Sequence, residues 1–442
     1  MVQATFNFPK GFLWGTATAA YQVEGGNENN NWWLWEQEPG RIHNGERCGL
    51  ACNWWGGRWR EDFDRAADAG QNAHRFSIEW SRIQPAPDRW DEDALDFYRQ
   101  MARRLVERGM TPLVTLHHFT DPIWLAERGG WENMETPGLF ATYANKVAEA
   151  LKEYVNLWVT INEPNVYTWG GYLGGGFPPG KNNLGTAFQT LANLLRGHAL
   201  AYREIHKIQA AARVGVAHHV RGFEPARPWF PPDQWMTKIL NNNFNYAFPA
   251  ALTDGRLRFA FRALSIPEAT ATQDFFGLNF YTSERVAFAP FSKGNFFTER
   301  FYPPGAELSP TGYIASQPEA FFKAMRWAAR FKLPVLITEN GVEDSSDLSR
   351  PRYLLQHIHQ VWRAVNYNWP IKGYFHWSLV DNFEWERGWS QRFGLWGLDI
   401  ETQTRIRRKS VDLYAAICKE NAISSEMTAR FAPEIFAKLF PG

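Results

Sequence analysis

The chain has 442 residues, a length that suits about three average domains or one large α/β barrel. Lys and Arg total 47 against 46 Asp and Glu, a formal net charge of +1 that offers no electrostatic pull toward nucleic acid or an anionic membrane. Hydrophobic residues at 45% supply a large core, yet mean hydropathy is −0.43 and no run of about 18 apolar residues occurs, so no segment is expected to span a membrane.

Met1 to Lys10 lacks a basic start, an apolar stretch and a small-residue cleavage site, so no secretory signal is evident and the expected location is the cytoplasm. Apolar runs then recur along the chain at Phe12 to Thr16, His74 to Glu79, Pro112 to His117, Leu157 to Ile161, Val214 to His218, Phe276 to Phe280, Val335 to Thr338 and Tyr374 to Trp377. Each reads as a buried strand. Helical patterns lie between them. In Asp91 to Arg108, Leu95, Tyr98, Met101, Ala102, Leu105 and Val106 fall on one face and Gly109 ends the helix. Leu139 to Tyr154 and Pro318 to Phe331 are similar. Eight strands alternating with helices, with no Ser/Gly-rich linker, low-complexity tract or strong repeat, predict one closed (β/α)₈ barrel over residues 1–442. Long connections at Asn27 to Arg60, Phe223 to Trp235 and Ser283 to Gln317 are expected to shape its active face.

Cys48, Cys52 and Cys418 are too few for a disulfide framework and read as reduced thiols. No second Cys or His pair follows Cys48 and Cys52 at zinc-site spacing. The 22 Trp are an outlier. Most belong in the core, but flat indole faces also attract the polarised C–H groups of a pyranose ring.

Functional side chains of such a barrel come from the carboxyl ends of its strands. The fourth run ends Thr160-Ile161-Asn162-Glu163-Pro164 and the seventh ends Ile337-Thr338-Glu339-Asn340-Gly341. A single glutamate there could mark only the backbone becoming exposed. Two, on opposite sides of an eight-membered ring, face each other across the mouth, and opposed carboxyls suit glycosidic cleavage. One must protonate the leaving oxygen while the other is ionised, and environment can separate them if a cation holds one charged. Arg75, in His74-Arg75-Phe76-Ser77-Ile78-Glu79-Trp80, is the candidate cation, unless it pairs with another core carboxylate. Arg75, Ser77 and Glu79 are expected to share one strand face.

On these residues the chain resembles glycoside hydrolase family 1, the β-glucosidase family, from about Phe8 to Lys419. The opening Phe8-Pro9-Lys10-Gly11-Phe12-Leu13-Trp14-Gly15-Thr16-Ala17 and both glutamate motifs occur in the family's order. The resemblance implies Glu163 as acid/base and Glu339 as nucleophile. Arg75 and Tyr281, in Asn279-Phe280-Tyr281, would contact the nucleophile and keep it ionised. Asn162 would bond the sugar 2-hydroxyl, Gln22, His118, Glu384 and Trp385 the outer hydroxyls of the glycone, and Trp377 would be the stacking platform. Asn279 counts among the sugar-binding positions. A carboxylate at 384, in place of the Ser with nearby Lys and Tyr of members acting on 6-phosphorylated sugars, implies an unphosphorylated glycone.

The chain departs from the family at Asn165, at His117-His118-Phe119 and at Tyr313, where the family often carries an aglycone Trp. Glu79, Phe119-Thr120-Asp121-Pro122-Ile123-Trp124 and the stretch from Gly388 to Leu395 resemble the archaeal-type branch, and Glu79 reads as a partner in a polar network. The expected activity is removal of a terminal non-reducing β-linked glucose, and also galactose or fucose, from a small β-glycoside or short oligosaccharide such as cellobiose. No metal or organic cofactor is expected, and the carboxyls should lie roughly 5 to 5.5 Å apart. Three alternatives stand beside this: glycosyl transfer to a second sugar, a non-catalytic sugar-binding barrel, and a metal-dependent hydrolase using His117, His118, His218 and His219. Oligomeric state is left open.

Overall fold

The computed structural model describes residues 4–292 and 296–441. Met1 to Gln3 of the amino-terminal stretch, residues 293–295 of the connection from Ser283 to Gln317, and Gly442 lie outside the described residues. Eight strands close into a barrel: β1 (Leu13–Ala17), β2 (Ala73–Ser77), β3 (Thr111–His117), β4 (Leu157–Asn162), β5 (Arg213–His219), β6 (Phe275–Asn279), β7 (Val335–Asn340) and β8 (Ile371–Trp377). Every neighbouring pair is parallel and follows chain order, with β8 closing on β1. Parallel barrel strands are covered on both faces, which is why they read as continuous apolar runs. All six residues of Leu157–Asn162 are buried.

The helices form where the apolar spacing placed them. Asp91 caps α1 (Glu92–Glu107) by accepting a hydrogen bond from the Ala94 amide at 2.8 Å, and Gly109 follows its end at φ 73°. Ala94, Leu95, Tyr98, Met101, Ala102 and Leu105 are buried on its inner face, each large aliphatic contributing about 1.5–3 kcal/mol. Val106 does not join them and is 46% exposed. It sits one position beyond Leu105 and so turns past the edge of the buried stripe. The helix expected over 139–154 runs Thr136–Leu151, and that expected over 318–331 runs Pro318–Ala328 before a 3₁₀ turn at Ala329–Phe331.

Every strand differs from its expected run at one end or both, mostly by one or two residues, and two of the shifts have consequences. β2 stops at Ser77, and Glu79 already precedes a short helix over Trp80–Ile83, so strand alternation does not carry Glu79 to the face of Arg75. Its carboxylate instead accepts from Ser81 and Thr120, each at 3.0 Å. β8 begins at Ile371, which pairs with Val335, three residues before the expected start, because the exposed Lys372 breaks the apolar run by which the strand was read.

Beyond β5 and β6 the chain builds a small sheet at the carboxyl end of the barrel. Ser283–Phe288 pairs in parallel with Gly222–Pro225 and antiparallel with Thr298–Phe301. The connection from Asn27 to Arg60 contains the helix Asn31–Gln37, and that from Phe223 to Trp235 enters the helix Pro231–Leu240. At the other end Thr5–Asn7 pairs with Ala422–Ser424. All three cysteines are free and buried. No helix among the described residues is long and apolar enough to cross a membrane.

Candidate active site

Glu163 stands one residue beyond β4 in the left-handed region, φ 46°, with its amide bonded to the Ala217 carbonyl at 2.7 Å. Glu339 lies within β7. Both line one cavity together with Asn162, His118, Tyr281, Trp377, Glu384 and Trp385. Arg75, Asn279 and Gln22 stand behind this lining, wholly buried. Gly341 lets β7 and β8 approach here: a Cβ on it would fall 2.0 Å from the Trp377 carbonyl oxygen, a contact only glycine avoids.

A chain of hydrogen bonds links the two carboxyls. Arg75 donates to Glu339 Oε1 at 2.6 Å and to Asn162 Oδ1 at 2.7 Å, and is steadied by Thr115 Oγ1 at 3.0 Å. The Tyr281 hydroxyl donates to Glu339 Oε2 at 2.7 Å. Asn279 Nδ2 donates to Glu163 Oε1 at 2.7 Å and to Asn162 Oδ1 at 3.1 Å, while its Oδ1 accepts from Thr338 at 2.6 Å. The Asn279 amide is thus spent on other side chains. Asn162 Nδ2 bonds His118 Nε2 at 3.0 Å, which fixes the amide and leaves its second N–H available. His118 is a neutral ring, its pKa lowered well below the ordinary value by burial and by Arg75, and its Nδ1 has no partner among the described residues.

Burial pushes Glu339 up to about 7; Arg75 and the Tyr281 hydroxyl pull down and the Glu163 charge pushes up. At Glu163 burial also raises, but His219, Asn279 and Arg75 outweigh it and the direction is down. The two carboxyls interact, so they ionise in two steps, the first readily and the last near 7. Hydrogen bonding bears on where that proton sits. Glu339 receives a cationic and a hydroxyl donor, one on each oxygen, whereas Glu163 has one fixed donor, Asn279 Nδ2, which shares Oε1 with the His219 ring nitrogen. Donors of this kind favour the charged form of Glu339.

The remaining candidates gather around Glu384. Its Oε2 accepts from Gln22 Nε2 at 3.2 Å and Asn382 Nδ2 at 3.1 Å. Burial, Glu386 and Glu339 raise Glu384 to about 8, which favours its protonated form near neutrality and weakens repulsion of phosphate by its charge. The rings of Trp377 and Trp385 each lie 5.9 Å from that of His118.

Of the other strand-end histidines, His117 is bound to Asp121 at 3.0 Å and His218 to the Asn245 carbonyl at 2.9 Å, both away from the cavity. Among the described residues no group of three or more His, Cys, Asp or Glu is placed to hold a metal ion. His219, considered above only as a metal ligand, lies with Nδ1 3.0 Å from Glu163 Oε1. It ends β5, so the strand-end rule that selected the glutamates was a signal for it too. Phe119, Phe177, Arg221, Glu386 and Arg387 also line the cavity. Arg221 and Phe119 each stand two residues past a barrel strand, where the strand-end rule was a signal, whereas Phe177, Glu386 and Arg387 lie in connections with no periodic pattern that could have singled them out.

A closed parallel barrel with buried carboxyls at the ends of its fourth and seventh strands, ringed by aromatic and hydrogen-bonding side chains, defines a barrel glycoside hydrolase. The model for "Glycosyl hydrolase family 1" matches residues 4–423. Beta-glucosidase A of Thermotoga maritima is 35% identical over 94% of this chain and 98% of its own, and a beta-galactosidase of Pyrococcus woesei 31% over 95% and 98%. Among solved structures, a beta-glycosidase from Pyrococcus horikoshii superposes with TM-score 0.91 at 37% identity, covering 97% of this chain and 98% of that one. The Thermotoga maritima beta-glucosidase in complex with glucoimidazole gives 0.89 at 33%, covering 95% and 100%. The chain belongs to glycosyl hydrolase family 1 and is a β-glycosidase.

Proposed function

We propose that this β-glycosidase removes terminal non-reducing β-D-glucosyl residues, and β-galactosyl or β-fucosyl residues, with retention, Glu163 serving as acid/base and Glu339 as nucleophile. The observation that carries the reading is the pair of donors on Glu339, Arg75 at 2.6 Å and Tyr281 at 2.7 Å, beside a second buried carboxyl in the same cavity. They favour placing the shared proton on Glu163. Glu339 attacks the anomeric carbon as the C–O bond breaks, and the departing oxygen keeps the electron pair and takes the Glu163 proton. Glu163, now a carboxylate, then takes a proton from water, whose oxygen displaces Glu339 from the same carbon and restores the β configuration.

Asn162 is the donor for the 2-hydroxyl, using its spare N–H, and His118, Gln22, Glu384 and Trp385 hold the outer hydroxyls over Trp377. An unphosphorylated glycone fits Glu384, which can both donate and accept. Relatives named glucosidase, galactosidase and bifunctional glucosidase/fucosidase support the range of sugars, and short oligosaccharides such as cellobiose are the proposed natural class. We treat the chain as one catalytic domain, since the barrel strands run from Leu13 to Trp377 and the terminal strands pair. A cytoplasmic location is in keeping with three buried free thiols.

Leaving-group acidity tests the roles. Glu339→Ala should abolish turnover. Glu163→Gln should slow cellobiose hydrolysis far more than hydrolysis of an aryl glucoside with a very acidic phenol, which departs without a proton. Equal losses on both substrates would remove Glu163 from the role given to it.

A further inference from the structure

A second cavity of about 520 Å³ adjoins the first, and Arg221, Tyr313 and Arg387 line both. The inner cavity is smaller, about 110 Å³, and because these three side chains line both, a substrate with its glycone on Glu339 that extends into the outer chamber passes them. The charges in this passage do not balance. Glu284 is shared between two guanidiniums, Arg221 at 3.3 Å and Arg300 at 3.5 Å, and Arg387 reaches Glu386 through Nε at 3.2 Å. The lining of the outer chamber thus carries two guanidiniums, Arg221 and Arg387, against one carboxylate, Glu284, which Arg300 also neutralises, while Glu386, raised by burial toward its neutral form, and the other glutamates line the inner cavity.

The donors are also underused. A guanidinium offers five N–H groups, yet at Arg221 only Nη1 has an acceptor among the described residues, and its Nε has none. The Nη groups of Arg387 have none either, and its guanidinium lies 5.0 Å from the Tyr313 ring centroid, which leaves a cation beside an aromatic face that is 36% exposed.

We propose that the outer chamber is a binding site for an aglycone bearing a carboxylate, held by Arg221 and Arg387 while Tyr313 packs against its ring. This rests on the glycosidase reading above, with hydrolysis running through the same two steps. The aglycone is either an aromatic acid or a sugar acid, since both place a carboxylate within a substrate of this shape. A guanidinium meets a carboxylate through paired, charge-assisted hydrogen bonds.

The test compares kcat/KM for 4-carboxyphenyl and 4-carbamoylphenyl β-D-glucosides, and for glucosyl-β-1,4-glucuronic acid and cellobiose, in the unaltered enzyme and in Arg221→Gln and Arg387→Gln. Taking the ratio of anionic to neutral member within each protein, then comparing proteins, cancels leaving-group differences. Each variant should lower that ratio about tenfold. Raising salt from about 0.01 M to about 1 M shortens screening from ~30 Å to ~3 Å and should compress the ratio in the unaltered enzyme, a readout independent of variant folding. A response confined to the aryl pair identifies an aromatic acid, and one confined to the disaccharides a sugar acid. Ratios that neither variant nor salt changes would overturn the proposal. Failure of the unaltered enzyme to hydrolyse the neutral members would instead overturn the catalytic reading.

Discussion

Glu339 takes a guanidinium on one oxygen and a phenol on the other, so removing either donor should be felt in chemistry more than in binding. Tyr281→Phe deletes one hydrogen bond to a charged group, worth about 1.5–3 kcal/mol, and should lower kcat by about 10- to 100-fold with KM changed far less. Because that donor holds Glu339 down, its loss should also move the acidic limb of kcat/KM to higher pH. The alkaline limb has a separate origin. The pair gives up its last proton near 7, the active form keeps it, and so kcat/KM should fall as pH rises through about 7, tending to tenfold per unit. In Glu163→Gln that limb should disappear for an activated aryl glucoside, because no acid remains to be lost. A limb at the same pH in the variant would assign the proton elsewhere. Both glutamates were legible in the sequence because each ends an apolar run. Arg221 was not, since its contribution depends on two loops meeting, and Glu79, rightly read as part of a polar network, was put on the wrong face because strand alternation was carried two residues beyond the last paired residue, Ser77.

The eight strands were readable because burial on both faces demands unbroken apolar runs, and errors gather where that demand relaxes. Lys372 projects outward from a paired strand and hid the start of β8, while Val106 is apolar yet exposed. The sheet built on Ser283–Phe288 was unreadable for a related reason: Glu284 and Arg285 lie within it, so it lacks a simple apolar alternation. Where β7 meets β8 the constraint is steric. A methyl group at Gly341 would lie 2.0 Å from the Trp377 carbonyl oxygen, so Gly341→Ala must push apart the strand ends that carry Glu339 and Trp377. Overpacking of this kind costs about 1–3 kcal/mol, and a displacement near 1 Å at a reacting group costs about 10²-fold in rate. The variant should unfold at lower denaturant and lose about two orders of magnitude in kcat. Unchanged values of both would show that the strand ends adjust freely.

Across the whole molecule the barrel buries carboxyls that lack full neutralisation. Glu79 is raised to about 7, first by burial and then by the Glu24 charge, and Glu384 to about 8 by burial. An unfolded chain releases these protons near pH 4.5, the folded chain only at 7 to 8, so between those values the native state binds more protons. Stability from these groups is therefore complete below about 4.5 and is lost as pH rises through the folded values. Glu79 is the informative probe because its partners Ser81, Thr120 and the Tyr98 hydroxyl lie outside the cavity lining. Glu79→Gln keeps an oxygen for Ser81 or Thr120 and removes the titration. Below about pH 4.5, where Glu79 is protonated folded and unfolded, the variant should melt at or below the temperature of the unaltered enzyme, having exchanged one neutral acceptor for another. Above pH 8, where the original carboxyl must ionise inside the fold, the variant should melt at the higher temperature relative to it. The quantity to measure is the difference in Tm between the two proteins across that interval, which cancels every group they share. A difference that stays constant with pH would mean that Glu79 titrates at the same value folded and unfolded.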